Sequence, residues 1–312
     1  MNRYLPEGFL IKEFENQEYV SSLAGLESAL EKQIILEAPA VLCDHNFNLH
    51  VSLGNGIKGI IPKDDVQYSP NEETKDIAIL TRVGKPVCFK VRGFERCGDG
   101  GKTAILSRKE AQRECVFNYV EALIPGDIIP TKITHLENFG AFVDIGCGII
   151  SLLSIDTISV SRISHPSARL SVGDSLYSVV KSIDEQGRIY VSERELLGSW
   201  EENAERFSEG QTVRGIVRGV EDYGIFVELA PNLAGLAEYK ENVLPGQTAA
   251  VYIKSIIPER MKIKLVLIDT YINEERTPQS FKYFVDCDSV EHLSYWRYSP
   301  PSCGRIIESV FE

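Results

Sequence analysis

From residue 126 onward the chain alternates apolar and polar positions in short runs bounded by Gly, Asn and Asp. Alternation with period two marks a half-buried strand. Asn138 to Gly146 reads Asn-Phe-Gly-Ala-Phe-Val-Asp-Ile-Gly. As a strand, this run puts Phe142 and Asp144 on one face and Ala141, Val143 and Ile145 on the other. Gly-Arg-Ile-Tyr-Val-Ser at 187–192 predicts a later strand of the same unit. The plan then returns. Gly210-Gln211 opens a strand, Asp-Tyr-Gly-Ile-Phe-Val-Glu-Leu follows at 222–229, Gly246-Gln247 opens another, and Met261 to Leu265 closes. A fainter copy lies earlier, where Asn46 to Gly54 aligns without gaps on Asn138 to Gly146. Its later strands are expected at Val87 to Val91 and Thr103 to Leu106.

Each copy holds about five short strands, too short to bury a core as an open sheet. Five such strands fit a small closed Greek-key barrel of the OB type. The predicted fold is therefore mainly β, with three tandem five-stranded OB-fold barrels joined by short helical connectors. The expected division is an N-terminal segment at 1–32, a degenerate first repeat with its connector at 33–120, a second repeat at 121–200, a third at 201–270, and an aromatic-rich C-terminal segment at 271–312. Helical spacing of apolar residues recurs at Ser22 to Lys32, Lys109 to Leu123 and Arg194 to Phe207. The last segment holds Phe281, Tyr283, Phe284, Tyr295, Trp296 and Tyr298, and so many aromatics call for burial.

Composition narrows the function classes. Of 312 residues, 43% are hydrophobic and 25% charged, which is ordinary for a globular chain. The net charge of −12 argues against coating nucleic acid by charge alone. Residues 33–120 come closest to basic, with 12 Lys and Arg against 11 Asp and Glu. No apolar run approaches the ~20 residues of a membrane span. Glu7, Glu13, Glu15 and Glu18 near the N-terminus do not suit a signal peptide, so a cytoplasmic location is expected. The seven cysteines are scattered without a Cys-x-x-Cys pair, so neither disulfide framework nor zinc knuckle is expected. Cys43, His45 and His50 are close together but lack a fourth ligand at a usable spacing. Gly98 to Thr103 resembles a phosphate loop only until its first glycine, which is missing at Arg96. A hairpin turn is the plainer reading there. No metal or cofactor is expected.

With Asn138 to Val143, Gly187 to Ser192 and Asp222 to Val227 in view, the second and third repeats resemble the RNA-binding domain of bacterial small-subunit ribosomal protein S-one. The repeats cover about three quarters of the chain. The resemblance implies that Phe139 and Phe142, and likewise Tyr223 and Phe226, stack on bases. It also implies that Asp184 and Arg188 frame the same face, with Lys262 in the arginine's place in repeat three. Lys132 and Lys181, on strands expected to border the face, are phosphate candidates, and Arg214, Arg218 and Lys254 are expected to line the groove of repeat three. Repeat one keeps Phe47 but has His50 where the second aromatic belongs. The family's histidine on the third strand is replaced here by Pro62, Ser154 and Glu238. For each aromatic the plain alternative is a core ring, and for each Lys or Arg a solvated surface.

The expected function is single-stranded RNA binding without a reaction, engaging messenger RNA or the small ribosomal subunit in translation. The alternatives are an accessory subunit of an RNA-processing enzyme or a post-transcriptional or virulence regulator. Residues 1–32 and 271–312 are each too short for a nuclease or phosphorolytic domain, so no enzyme is expected.

Overall fold

The computed structural model describes residues 4–69, 75–96, 102–272 and 282–311. The N-terminal segment carries two helices, α1 (Phe14–Val20) and α2 (Leu23–Lys32). The Ser22 hydroxyl accepts from the Gly25 N–H and caps α2, which buries Leu26 and Ala29. Helix α1 was not legible in the sequence, because it buries only Asn16 and Val20.

Three barrels follow. The first comprises β1 (Leu36–Cys43), β2 (Leu49–Ser52) and β3 (Lys58–Ile61), then helix α3 (Asp76–Leu80), then β4 (Pro86–Arg96) and β5 (Lys102–Ser107). Helix α4 (Arg108–Asn118) leaves it, capped by the Ser107 hydroxyl on the Glu110 N–H. The second comprises β6 (Ile128–Glu137), β7 (Gly140–Asp144) and β8 (Ile150–Ser154), the short α5 (Ile155–Ile158), then β9 (Ser175–Ile183) and β10 (Ile189–Ser192). After helix α6 (Trp200–Ala204) the third comprises β11 (Thr212–Glu221), β12 (Gly224–Ala230), β13 (Leu233–Ala237), β14 (Thr248–Ile257) and β15 (Lys262–Tyr271). All three are closed, and in each the third strand pairs in parallel with the fifth. Closure removes the exposed edges that strands this short would otherwise leave. A two-stranded ribbon, β16 (Tyr295–Arg297) with β17 (Glu308–Val310), ends the chain.

The interior of each barrel is the apolar half of the alternation. Ala141, Val143, Leu153 and Val191 fill the second, and Val217, Ile225, Val227, Val251 and Leu265 the third. On the third strand, Gly59 and Gly235 occupy matching registers opposite Val51 and Val227. A Cβ at either would lie 2.6 Å from Leu106 or Leu265 respectively, so the missing side chain makes room for the fifth strand's leucine. Two expectations are corrected. The helix read over Arg194 to Phe207 is confined to α6, because Gly198 takes a left-handed φ of +80° and Ser199 then opens a capping box with Glu202. Asp144, placed with Phe142 on the outer face by alternation, is buried. The glycine-rich run at 98–101 lies outside the described residues.

By packing, the chain divides into two compact units. The first gathers residues 1–123 with 130–132 and 144–150, and the second the remainder. In the first unit, Glu7 is clasped by Arg108, with Nε–Oε1 at 2.6 Å and Nη2–Oε2 at 3.0 Å. The backbone N–H of Glu7 donates to Asp144, and those of Gly8 and Leu10 donate to Glu37. In the second unit, Arg169 from the long connection of barrel two meets Glu228 on β12 at 2.7 Å, and both are buried. Asn232 accepts from the Val160 N–H and donates to the carbonyls of Arg194 and Gly198. The C-terminal segment adds ties along its length. Ile128 N–H donates to Glu291, Phe284 N–H to Leu196, and Trp200 N–H to Tyr298. Trp296 and Tyr298 are buried there, as their composition requires, while Tyr295 stays exposed.

Candidate nucleic-acid interface

Strand β6 delivers the chain into a tight turn whose last residue is Phe139, and β7 then presents Phe142 outward. Phe139 is 53% exposed and Phe142 half-buried. Their centroids lie 6.0 Å apart with planes at 89°. Repeat three rebuilds the arrangement. Tyr223 is 69% exposed, and its ring stands 6.0 Å from Phe226 at 86°. Edge-to-face packing fixes each inner ring while leaving the outer ring's surface to solvent. Exposed rings so held have the geometry that stacking on an unpaired base requires.

The glycine after each outer ring is required by the third strand behind it, and Gly224 takes a positive φ of 151° as well. Gly140 does not adopt a positive φ. Instead, a Cβ there would lie 2.4 Å from the Leu153 carbonyl, and one at Gly224 would lie 2.5 Å from that of Ala237. The third strand passes too close for any side chain, and this close approach seats the ring pair at the barrel surface.

Strand register extends the outer face. Phe226 is paired with Leu236, which is paired with Lys264. In repeat two, Leu152 is paired with Tyr190. In repeat one, His50 is paired with Ile60 and Ile60 with Ile105. Tyr190 and Lys264 therefore occupy the same place on two barrels, and neither was named from sequence. The signal was available, since each lies two residues after Arg188 or Lys262 on an alternating strand. Tyr190 also donates its hydroxyl to Asp184.

Asp184 closes the β9–β10 turn. It accepts from Arg188 Nε at 2.7 Å and from the backbone N–H groups of Gln186 and Arg188. Partial burial works against its charge, but the hydrogen bonds from Arg188 and Gln186 hold its carboxyl below the usual range. Arg188 remains 68% exposed beyond that pair. Lys181, Arg214, Lys254 and Lys262 are also exposed.

Four of the sequence candidates stand elsewhere. Lys132 donates its ammonium to the Glu7 carbonyl at 2.8 Å, inside the first unit. Arg218 forms two bonds to Glu228, at 2.9 and 3.0 Å, and is nearly buried. In repeat one, Asn48 replaces the turn glycine, and Phe47 itself takes a left-handed φ of 62°. Its ring packs on the barrel core under the Lys63 ammonium, 4.8 Å from the centroid. His50 is tied to Asp44 at 3.2 Å. Hydrogen bonds from Asn48, His50 and Asn46 lower the Asp44 pKa to about 2. Among its described residues, barrel one thus presents no exposed ring pair at this place.

Three closed five-stranded barrels, two of them carrying the same exposed ring pair, define a multi-barrel nucleic-acid-binding protein. The family model for the S1 RNA binding domain matches residues 122–194, the second barrel. The chain is 31% identical over 295 residues to small ribosomal subunit protein bS1 of Staphylococcus aureus (strain MRSA252), covering 88% of this chain and 72% of that one. It is 29% identical over 236 residues to the same protein of Staphylococcus saprophyticus, covering 70% of this chain and 58% of that one. The chain belongs to the bS1 family. No helix among the described residues is long and apolar enough to cross a membrane.

Proposed function

We propose that this chain holds single-stranded RNA on the platforms of barrels two and three and thereby engages messenger RNA at the small ribosomal subunit, without catalysing a reaction. The observation that carries this reading is the repeated ring pair, with the same separation and the same near-perpendicular planes in both barrels. Rings recruited only to fill a core would be covered, yet Phe139 and Tyr223 are more than half exposed. Family membership supports RNA as the polymer and the small subunit as the place of action. The role as an appendage of an RNA-processing enzyme draws no support from these relatives.

The test is fluorescence anisotropy of a labelled unstructured RNA with wild type and with the double variant Phe139→Ala/Tyr223→Ala. A stacked base contributes about 1–3 kcal/mol, so the double variant should bind at least about tenfold more weakly. Equal binding by both proteins would refute the platform reading. Co-sedimentation with purified small subunits then tests the site of action.

A further inference from the structure

We propose that His135 is a third base-stacking ring in the platform of barrel two, a role that rests on the RNA reading above. His135 lies on β6, and its side chain is 63% exposed. Its ring is nearly parallel to Phe142, with centroids 6.4 Å apart and planes at 22°. The other face of the arrangement is Phe139, edge-on to Phe142. Three rings therefore meet on one outer surface, and the inner Phe142 contacts both exposed ones. One imidazole nitrogen lies 2.8 Å from the Glu137 carboxylate, which fixes the ring's orientation.

A surface ion pair alone would not require the ring to lie along Phe142. Repeat three supplies the internal control. Thr134-His-Leu-Glu-Asn-Phe-Gly140 matches Arg218-Gly-Val-Glu-Asp-Tyr-Gly224, so Gly219 stands where His135 does. Gly219 is in register with Phe226, and a Cβ on it would sit 3.8 Å from the Phe226 ring, ordinary contact distance. The backbone at this position thus projects a side chain over the inner ring in both barrels. One barrel fills the position with an imidazole and the other leaves the ring face open. Barrel two also lacks an imidazole on its third strand, where Ser154 bonds to Asp156. The ring in barrel two comes from the first strand. The ligand it suits is an unpaired nucleobase, which offers a flat π face to an exposed imidazole.

The test uses the full chain and a short unstructured RNA carrying 2-aminopurine, whose emission falls when the base stacks. Wild type should bind and quench it. His135→Ala should weaken binding by at least about fivefold and relieve part of the quench, with thermal stability unchanged because the side chain is exposed. His135→Phe, which restores a ring, should stay within about twofold of wild type. Gly219→His should strengthen binding through barrel three. If Phe139→Ala weakens binding while His135→Ala matches wild type in affinity and quench, the proposal is overturned and the RNA reading stands. If wild type binds no RNA, both fall together.

Discussion

At the scale of single residues, the buried charges matter as much as the exposed rings. Arg108 is 2% exposed and is satisfied by Glu7 and by the Val66 carbonyl. Burial works against the Glu7 carboxylate, but Arg108, with help from Arg82 and the Cys88 N–H, holds its pKa below the usual range. Removing one member of such a pair leaves an uncompensated buried charge, which costs about 3–5 kcal/mol. Glu7→Ala should therefore lower the urea midpoint of the first unit by that equivalent, and adding Arg108→Met should recover much of it. If the single and double variants unfold at the same midpoint, the pair is not what holds Arg108. The contrast with the platform shows what a sequence discloses at this scale. Phe139, Phe142, Tyr223 and Phe226 were legible because strand alternation and the Phe-Gly-x-Phe spacing are local. The fates of Lys132 and Arg218 were not, because a cation's partner comes from another element. Lys132 finds the carbonyl of Glu7, 125 residues away, and nothing on its own strand announces that.

At the scale of elements, two terminal segments are sewn onto barrels by polar contacts. The C-terminal one uses backbone bonds and Glu195, which accepts from Ser192, Ser309 and Arg194. The N-terminal one hangs on Glu37 and Asp144. Burial raises Glu37 to about 8, and burial with the neighbouring Glu7 charge raises Asp144 to about 7. A carboxyl raised above its unfolded value takes up a proton on folding between the two values. Over that window the native state binds more protons, so stability rises as pH falls. Lowering the pH from about 8.5 to about 6 should then raise the urea midpoint of the first unit, and Glu37→Gln should flatten the dependence. A midpoint that falls over this range in wild type would contradict the assignment. The strands themselves were legible from their period, since closure makes inside and outside alternate. Helix α1 was not, because its seven residues bury one apolar side chain, and periodicity needs an apolar stripe to be seen.

For the whole molecule, the net charge of −12 and the two ring platforms set the terms of binding together. Of the cationic residues named from sequence, Lys132 and Arg218 are committed elsewhere, while Lys181, Arg188, Arg214, Lys254 and Lys262 are exposed, and Lys264 adds a sixth exposed cation on the outer face of barrel three. Single strands give a salt slope of about −0.7 per neutralised phosphate, so these six cations would contribute a slope of about −4.2. Affinity must then come from stacking and from linkage of the two platforms. The greater part of barrel two, with both its rings, lies in the same compact unit as barrel three, joined by the buried Arg169–Glu228 pair and the Asn232 bonds. A second contact made by an RNA already held on the first platform is intramolecular, and a rigid connection preserves its effective concentration. An OB barrel occupies about 4–16 nucleotides. Affinity for oligonucleotides of increasing length should therefore climb in a step, on the order of 10–20 nucleotides, where one strand first reaches both platforms. Tyr223→Ala should abolish the step while leaving binding of the shortest RNAs intact at barrel two. Anisotropy titrations across such a length series decide it: a smooth rise with no step, unchanged in Tyr223→Ala, would mean that the barrels act independently.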